Sequence, residues 1–263
     1  MALEPKIIVF DLETLPNLPE ALKVWCQLSS FPGKTMKATI TSIICAGWKE
    51  YGKKRTHCIN AWDYPTWEVN VNDDKHVCEE IYNVLKDADA IVTHNGRRFD
   101  WKFLQTRLIY NGLPPLHNIP HIDTCVVARS NLLSFNNRLG YLGEWLVSDT
   151  KLENGGWDLW VKVYNRQKTA MRTMVKYCKQ DVDLLEKVFD KLKPFVKNLP
   201  NRNHFKSQDK LIKGENICPT CGSIDLKYNG WAYTKTQKYQ RILCKNCGST
   251  SRLDSKDRNP RSI

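Results

Sequence analysis

Along the chain, hydrophobic positions follow two periodicities, and their order sets the expected architecture. Lys6 to Thr14 opens with the apolar run Ile7-Ile8-Val9-Phe10, β-branched and aromatic, and then turns polar; it reads as a buried strand. Thr39 to Trp48 and Thr56 to Trp62 read as two further strands, joined by the polar run from Lys49 to Arg55. His76 to Lys86 places Val77, Ile81, Val84 and Leu85 at helical spacing. Ala90 to Thr93 is a short strand, and after the Asn95-Gly96 turn a helix with Trp101, Leu104, Leu108 and Ile109 runs to the break at Asn111-Gly112-Leu113-Pro114-Pro115. Ile122 begins another strand-to-helix transition, and Leu139 to Leu146 and Met171 to Leu192 read as helices. Strands come early and helices late, which predicts an α/β fold with a mixed sheet flanked by helices. From Lys197 the chain turns polar, and the expected division is a domain over 1–196, a linker over 197–214, a small module over 215–255 and a basic tail over 256–263.

Composition supports a globular chain: 41% of residues are hydrophobic, with nine Trp, ten Tyr and eight Phe. No apolar run approaches the ~18 residues needed to span a bilayer, and the short apolar block near the start ends in an acid. Membrane insertion and secretion are therefore not expected, and a cytoplasmic location is. In that setting the ten cysteines point to metal ligation ahead of disulfides. Charge is unevenly spread. Residues 1–190 hold 24 basic and 23 acidic side chains, whereas residues 191–263 hold 16 and 5, so the formal charge of +12 belongs almost wholly to the C-terminal part. Such a local positive field suits a polyanion such as nucleic acid, the alternative being a solvated basic tail.

Candidate chemistry begins where the first strand ends. Residues i and i+2 of a strand share a face, so Asp11 and Glu13 put two carboxylates side by side, where they repel unless a cation joins them. A third acid, Asp100, follows a strand and a turn in His94-Asn95-Gly96-Arg97-Arg98-Phe99-Asp100; complementarity to the helix dipole is its simpler explanation. In the last long helix Tyr177 and Asp181 return to one face, ~40° apart, whereas Asp183 points elsewhere and reads as a solvated acid. Asp123-Thr124 reads as a helix N-cap, and His94 as structural or near substrate. Arg97, Arg98, Lys102 and Arg107 fit either phosphate contacts or a solvated helix face. Gly33-Lys34-Thr35 is not a phosphate loop, because Leu28 stands where that loop needs glycine.

The ordered set Asp11-x-Glu13, Asn95 with Phe99-Asp100, and Tyr177-x-x-x-Asp181 resembles the three motifs of the DEDD superfamily of 3′-5′ exonucleases, in its DEDDy branch. His121-Ile122-Asp123-Thr124 with Ala128-Arg129, and Leu139 to Leu146, resemble the region connecting the second and third motifs, so the likeness covers roughly residues 5–195. The resemblance implies a ribonuclease H-like fold and phosphodiester hydrolysis with two Mg²⁺ or Mn²⁺ ions, which hard carboxylate oxygens favour. By that resemblance Asp11 bridges both ions, Glu13 and Asp181 hold the water-side ion, and Asp100 acts on the other largely through water. Tyr177 is then expected to orient the attacking water, and Thr14, just beyond the ligands, to contact the terminal nucleotide, with Asn95 also near substrate.

Cys218-Pro219-Thr220-Cys221-Gly222 and Cys244-Lys245-Asn246-Cys247-Gly248 form two Cys-x-x-Cys-Gly knuckles, the spacing of a closed four-thiolate structural Zn²⁺ site. Rubredoxin-like iron or a redox dithiol is the competing reading. Leu226 to Gly230 and Tyr239 to Leu243 read as hairpin strands between them, and the whole resembles a zinc ribbon of nucleic-acid enzymes. Lys227, Trp231, Lys235 and Arg241, with Tyr233, Lys238 and Tyr239, interleave cations and aromatics, the combination that holds phosphates and stacks on unpaired bases; docking on a protein is the alternative. The cysteines at 26, 45, 58, 78, 125 and 178 show no ligand spacing and are expected as reduced thiols.

The combined expectation is a metal-dependent 3′-5′ exonuclease acting on DNA ends, single-stranded or frayed, in preference to RNA. A polymerase or other replication partner would be engaged in trans. An RNA or short-oligonucleotide exonuclease is the alternative enzyme, and a non-catalytic nucleic-acid-binding adaptor the alternative of another class.

Overall fold

The computed structural model describes residues 4–15, 42–117, 119–151, 156–197, 199–201, 216–253 and 260–262. Strands β1 (Ile7–Leu15), β2 (Ser42–Glu50), β3 (His57–Asn60), β4 (Ala90–Thr93) and β5 (His121–Asp123) form one sheet in the order β3-β2-β1-β4-β5. β2 runs antiparallel to β1 and β3, whereas β4 runs parallel to β1 and β5, so the sheet is mixed as expected. The helices are α1 (Pro65–Val69), α2 (Lys75–Leu85), α3 (Asp100–Tyr110), α4 (Thr124–Asn131), α5 (Leu139–Val147), α6 (Trp157–Tyr164) and the 25-residue α7 (Lys168–Leu192).

β1 reads as a continuous apolar run because both of its faces are covered. Ile8, Phe10 and Leu12 join Val77, Ile81 and Leu85 of α2 and Leu104 and Leu108 of α3 in one core cluster. Ile7 and Val9, on the opposite face, join Val182, Leu185, Val188 and Phe189 of α7 in another. Asp11 and Glu13 continue this second face by the strand's two-residue period, so the helix that buries Ile7 and Val9 also carries Asp181 and Tyr177 toward the two acids. β1 pairs with β4 only over Ile7, Ile8 and Val9. Beyond Val9 the two parallel strands part, leaving a crevice at their carboxyl ends, the usual place for a site in such sheets.

A second sheet of β6 (Leu226–Tyr233), β7 (Lys238–Cys244), β8 (Thr250–Leu253) and β9 (Pro260–Ser262) is wholly antiparallel in chain order. The expected hairpin is present and gains two strands; β9 falls within the stretch read as a basic tail.

The other differences are local. The third strand stops at Asn60 and passes into a 3-10 turn at Ala61–Asp63. α1 and α6 were not expected, although α6 buries Leu159 and Val163 four residues apart. Ile109 is exposed, because the buried stripe of α3 runs through Leu104, Arg107 and Leu108. Residues 39–41 of the expected second strand, Gly33-Lys34-Thr35, Cys26 and most of the 197–214 linker lie outside the described residues. Among the described residues no helix is long and apolar enough to cross a membrane.

Candidate metal and nucleic-acid site

Asp11, Glu13 and Asp181 each offer a carboxylate oxygen, and these oxygens lie within 4.8 Å of one another. The antiparallel ladder sets two of them: Asp11 pairs with Gly47 and Glu13 with Cys45 on β2, and a bulge follows between Glu13 and Thr14. Asp181 is buried, with Oδ2 2.6 Å from Lys151 Nζ. Its Oδ1 is buried with no hydrogen-bond partner. A buried carboxylate oxygen without a donor is costly, and a cation would satisfy it. The donor set is all hard oxygen, which fits Mg²⁺ or Mn²⁺.

Crowding of acids shows in their acidities. Burial, and then Asp100, Glu13 and Asp181, raise the Asp11 carboxyl well above the usual range against the opposing pull of Lys151. Burial and Asp181 push Glu13 up to about 8, again against Lys151. Burial raises Asp181, partly offset by Lys151 and Tyr177. Burial disfavours the Lys151 charge, yet Asp181 and Tyr177 outweigh it and raise its basicity.

Asp100 is not part of the three-carboxylate group. It begins α3, is buried, and its Oδ1 accepts from the Leu12 amide at 3.2 Å, on the edge of β1 that β4 has left. Burial raises its carboxyl to about 6, with that amide pulling the other way. Tyr177 is buried on the face of α7 that carries Asp181, beneath Trp160 in an edge-on contact and with Lys151 Nζ 4.7 Å from its ring centroid. Burial, followed by the Asp181 charge, raises its phenol above the usual value, so it stays protonated.

Asp11 and Asp181 face an open cleft of about 940 Å³. Asn95, in left-handed backbone with φ 60°, lines it, as do the cations Arg98, Arg129, Arg138 and Lys151. Phe135, 96% exposed, and Tyr141 stand on its wall with ring centroids 6.5 Å apart. Acids on the floor, cations around them and the exposed Phe135 ring beside the partly buried Tyr141 suit a polyanion with bases to stack. Sequence reasoning missed Arg129, Arg138, Phe135, Tyr141 and Lys151; apart from the Ala128-Arg129 likeness, nothing in their spacing marks them. Thr14 is half-buried beyond the bulge and does not line the cleft.

Several neighbours have other work. The Asp123 carboxylate caps α4, accepting from the amides of Cys125 and Val126, and also from those of Asn95 and Arg97. His94 also lines the cleft; its Nε2 donates to the Asn137 carbonyl at 2.9 Å, its Nδ1 lies 2.9 Å from the Thr124 hydroxyl, and burial lowers its basicity. Arg107 reaches no substrate surface: it is buried and makes a two-pronged pair with Asp74 at 2.7 Å each. Asp183 is not simply solvated, since Lys49 and Thr56 bind it; it stays apart from the acid group.

Cys218, Cys221, Cys247 and Cys244, the last at the end of β7, converge with one sulfur each within 4.8 Å. The knuckles repeat one geometry: the Gly222 amide donates to the Cys218 carbonyl at 2.8 Å and the Gly248 amide to that of Cys244 at 2.9 Å, with φ of 79° and 73° at the two glycines. Burial works upward on Cys218, but the Ser249 hydroxyl and nearby amides bring it down to about 7. Burial pushes Cys244 up to about 12. Four convergent thiols are consistent with zinc. On β6, Lys227, Trp231 and Tyr233 are exposed, as is Lys235 in the turn, and Lys238 Nζ sits 4.0 Å from the Trp231 ring centroid. Arg241 is partly committed, its Nε donating to the Asn229 carbonyl at 2.7 Å.

A mixed sheet with a carboxylate cluster where β1 and β4 part defines a ribonuclease H-like domain. The model of the RNase H superfamily matches residues 46–193, more than half of the sequence, and the chain belongs to that superfamily. Over 141 residues, 51% of the chain, it is 30% identical to a DNA polymerase III PolC-type of Ureaplasma parvum serovar 3 (strain ATCC 700970), of which it covers 9%. The family B DNA polymerase of the hyperthermophilic archaeon Pyrobaculum calidifontis superposes with a TM-score of 0.52 over 90% of this chain and 32% of that one. At 16% identity the second likeness is one of fold. The chain thus spans less than a third of either relative.

Proposed function

We propose that this chain is a metal-dependent 3′-5′ exonuclease of the DEDDy type that removes nucleotides from single-stranded or frayed DNA ends. The observation that carries the reading is the buried, partnerless Asp181 Oδ1 beside Asp11 and Glu13, facing a cleft walled by arginines. Two Mg²⁺ or Mn²⁺ ions, when bound, supply activation of the attacking water and charge for the leaving 3′ oxygen. Asp11, Glu13 and Asp181 would hold these ions, with Asp100 acting from the Leu12 edge. The protonated Tyr177 hydroxyl orients the attacking water and does not act as its base. Arg98, Arg129 and Arg138 hold phosphates, and Asn95, on the cleft wall, meets the terminal nucleotide.

Residues 1–196 act as the nuclease domain, tied through a linker over 197–214 to a zinc ribbon over 215–255 and a basic tail. Trp231, Tyr233, Lys227, Lys235 and Arg241 would hold the unpaired strand. Likeness to two DNA polymerases supports DNA as substrate and a replication assembly as partner.

The test is a gel time course with matched 5′-labelled DNA and RNA strands, Mg²⁺ or Mn²⁺, and Asp11→Asn as control. Stepwise shortening from the 3′ end, absent in the control and faster on DNA, is expected. Intact strands that still shift in a binding gel would overturn the enzyme in favour of an adaptor.

A further inference from the structure

The register of β2 and β3 opposes Cys45 to Asn60 and Gly47 to Cys58, so Cys45 and Cys58 are diagonal neighbours in the ladder. Cys178 reaches them from α7 because residue 47 has no side chain: a Cβ there would fall 2.8 Å from Cys178 Sγ and 2.9 Å from the Cys178 carbonyl oxygen. The three sulfurs lie within 4.8 Å of one another, the same convergence as in the four-cysteine group. Zn–S bonds of ~2.3 Å place tetrahedral sulfurs ~3.8 Å apart, so little contraction would seat an ion. Cys45 and Cys178 are buried and Cys58 is partly buried, so an ion would enter on the Cys58 side.

We propose that Cys45, Cys58 and Cys178 form a second thiolate metal site, for a soft divalent ion of the zinc and cadmium class, with its fourth position open to water. Three sulfurs exclude Mg²⁺ and Ca²⁺, which take oxygen. Charge selects a divalent ion over Cu⁺: three thiolates with Cu⁺ leave two negative charges close to Glu13, which pairs with Cys45 across the ladder, and a divalent ion leaves one. The site stands apart from the hydrolytic reading and does not depend on it.

The experiment titrates the full chain with Cd²⁺ in excess Mg²⁺, following thiolate-to-cadmium absorbance together with bound metal by elemental analysis. Absorbance that grows through a second equivalent is expected, falling to one equivalent in Cys58→Ser and in Cys58→Ala. Saturation of the unsubstituted chain at one equivalent would overturn the proposal whatever the variants do. A second equivalent that persists in both variants, with unchanged thermal melts, would also overturn it.

Discussion

Glu13→Gln should make the metal-free protein less stable in acid and more stable in base. Glu13 is buried, and its carboxyl stands at about 8 against 4.5 when free, so folding favours its protonated form. Stability from that form is complete below the free value and is lost as pH rises through about 8. At 1.36 kcal/mol per unit, the ionisation penalty is under ~1 kcal/mol at pH 5 and ~4 kcal/mol at pH 8. Glutamine keeps the shape and abolishes the titration, but buries an amide at a cost of about 1 to 3 kcal/mol. The variant should therefore match or fall below the parent at pH 5 and exceed it by ~1 to 3 kcal/mol at pH 8. For a chain of this size that is a rise in Tm of roughly 2 to 12 °C at pH 8.

The assay is thermal melting across pH 5 to 9 in buffer free of Mg²⁺ and Mn²⁺, without a chelator that would compete with the four thiols of Cys218, Cys221, Cys244 and Cys247 for a metal. Adding Mg²⁺ should then stabilise the parent increasingly as pH rises, and the variant much less, because binding draws on the ionised carboxylates. A variant less stable than the parent at pH 8, or melts with the same pH slope, would refute the argument that the acid cluster is held at an electrostatic cost.

On the proposed reading the Tyr177 hydroxyl would position water and not hold the strand, so Tyr177→Phe should lower kcat about 10- to 100-fold with KM nearly unchanged in steady-state cleavage. Arg107→Met leaves the buried Asp74 carboxylate without its cation and should cost about 3 to 5 kcal/mol in urea unfolding, with no other effect on cleavage by the folded fraction. Trp231→Ala should weaken single-strand binding about 5- to 100-fold without changing its salt slope, whereas Lys238→Gln should reduce that slope by about one; fluorescence anisotropy at several salt concentrations separates the two.

What the sequence disclosed and what it withheld divide along one physical line. Asp11 and Glu13 were legible because a strand's two-residue period places them together, and Tyr177 and Asp181 because a helix returns to one face every four residues. The four ribbon cysteines were legible for the same reason, each knuckle being a local turn. The register of α7 on the sheet was not legible, since it depends on Gly47 leaving room for Cys178 and on the apolar contacts of Val182, Leu185 and Phe189 with Ile7 and Val9. That one docking decides two outcomes: it delivers Asp181 to the acids of β1, and it drops Cys178 between two thiols that sequence spacing leaves unrelated. Lys151, Arg129, Arg138 and Phe135 were hidden for a related reason. They sit outside the acidic motifs, on α4 and on connections around α5, where no periodicity reports which way a side chain turns, and the cleft they line exists only once the strands have parted. Local chemistry can thus be read from spacing, but the cations that balance an acid cluster are supplied by tertiary packing.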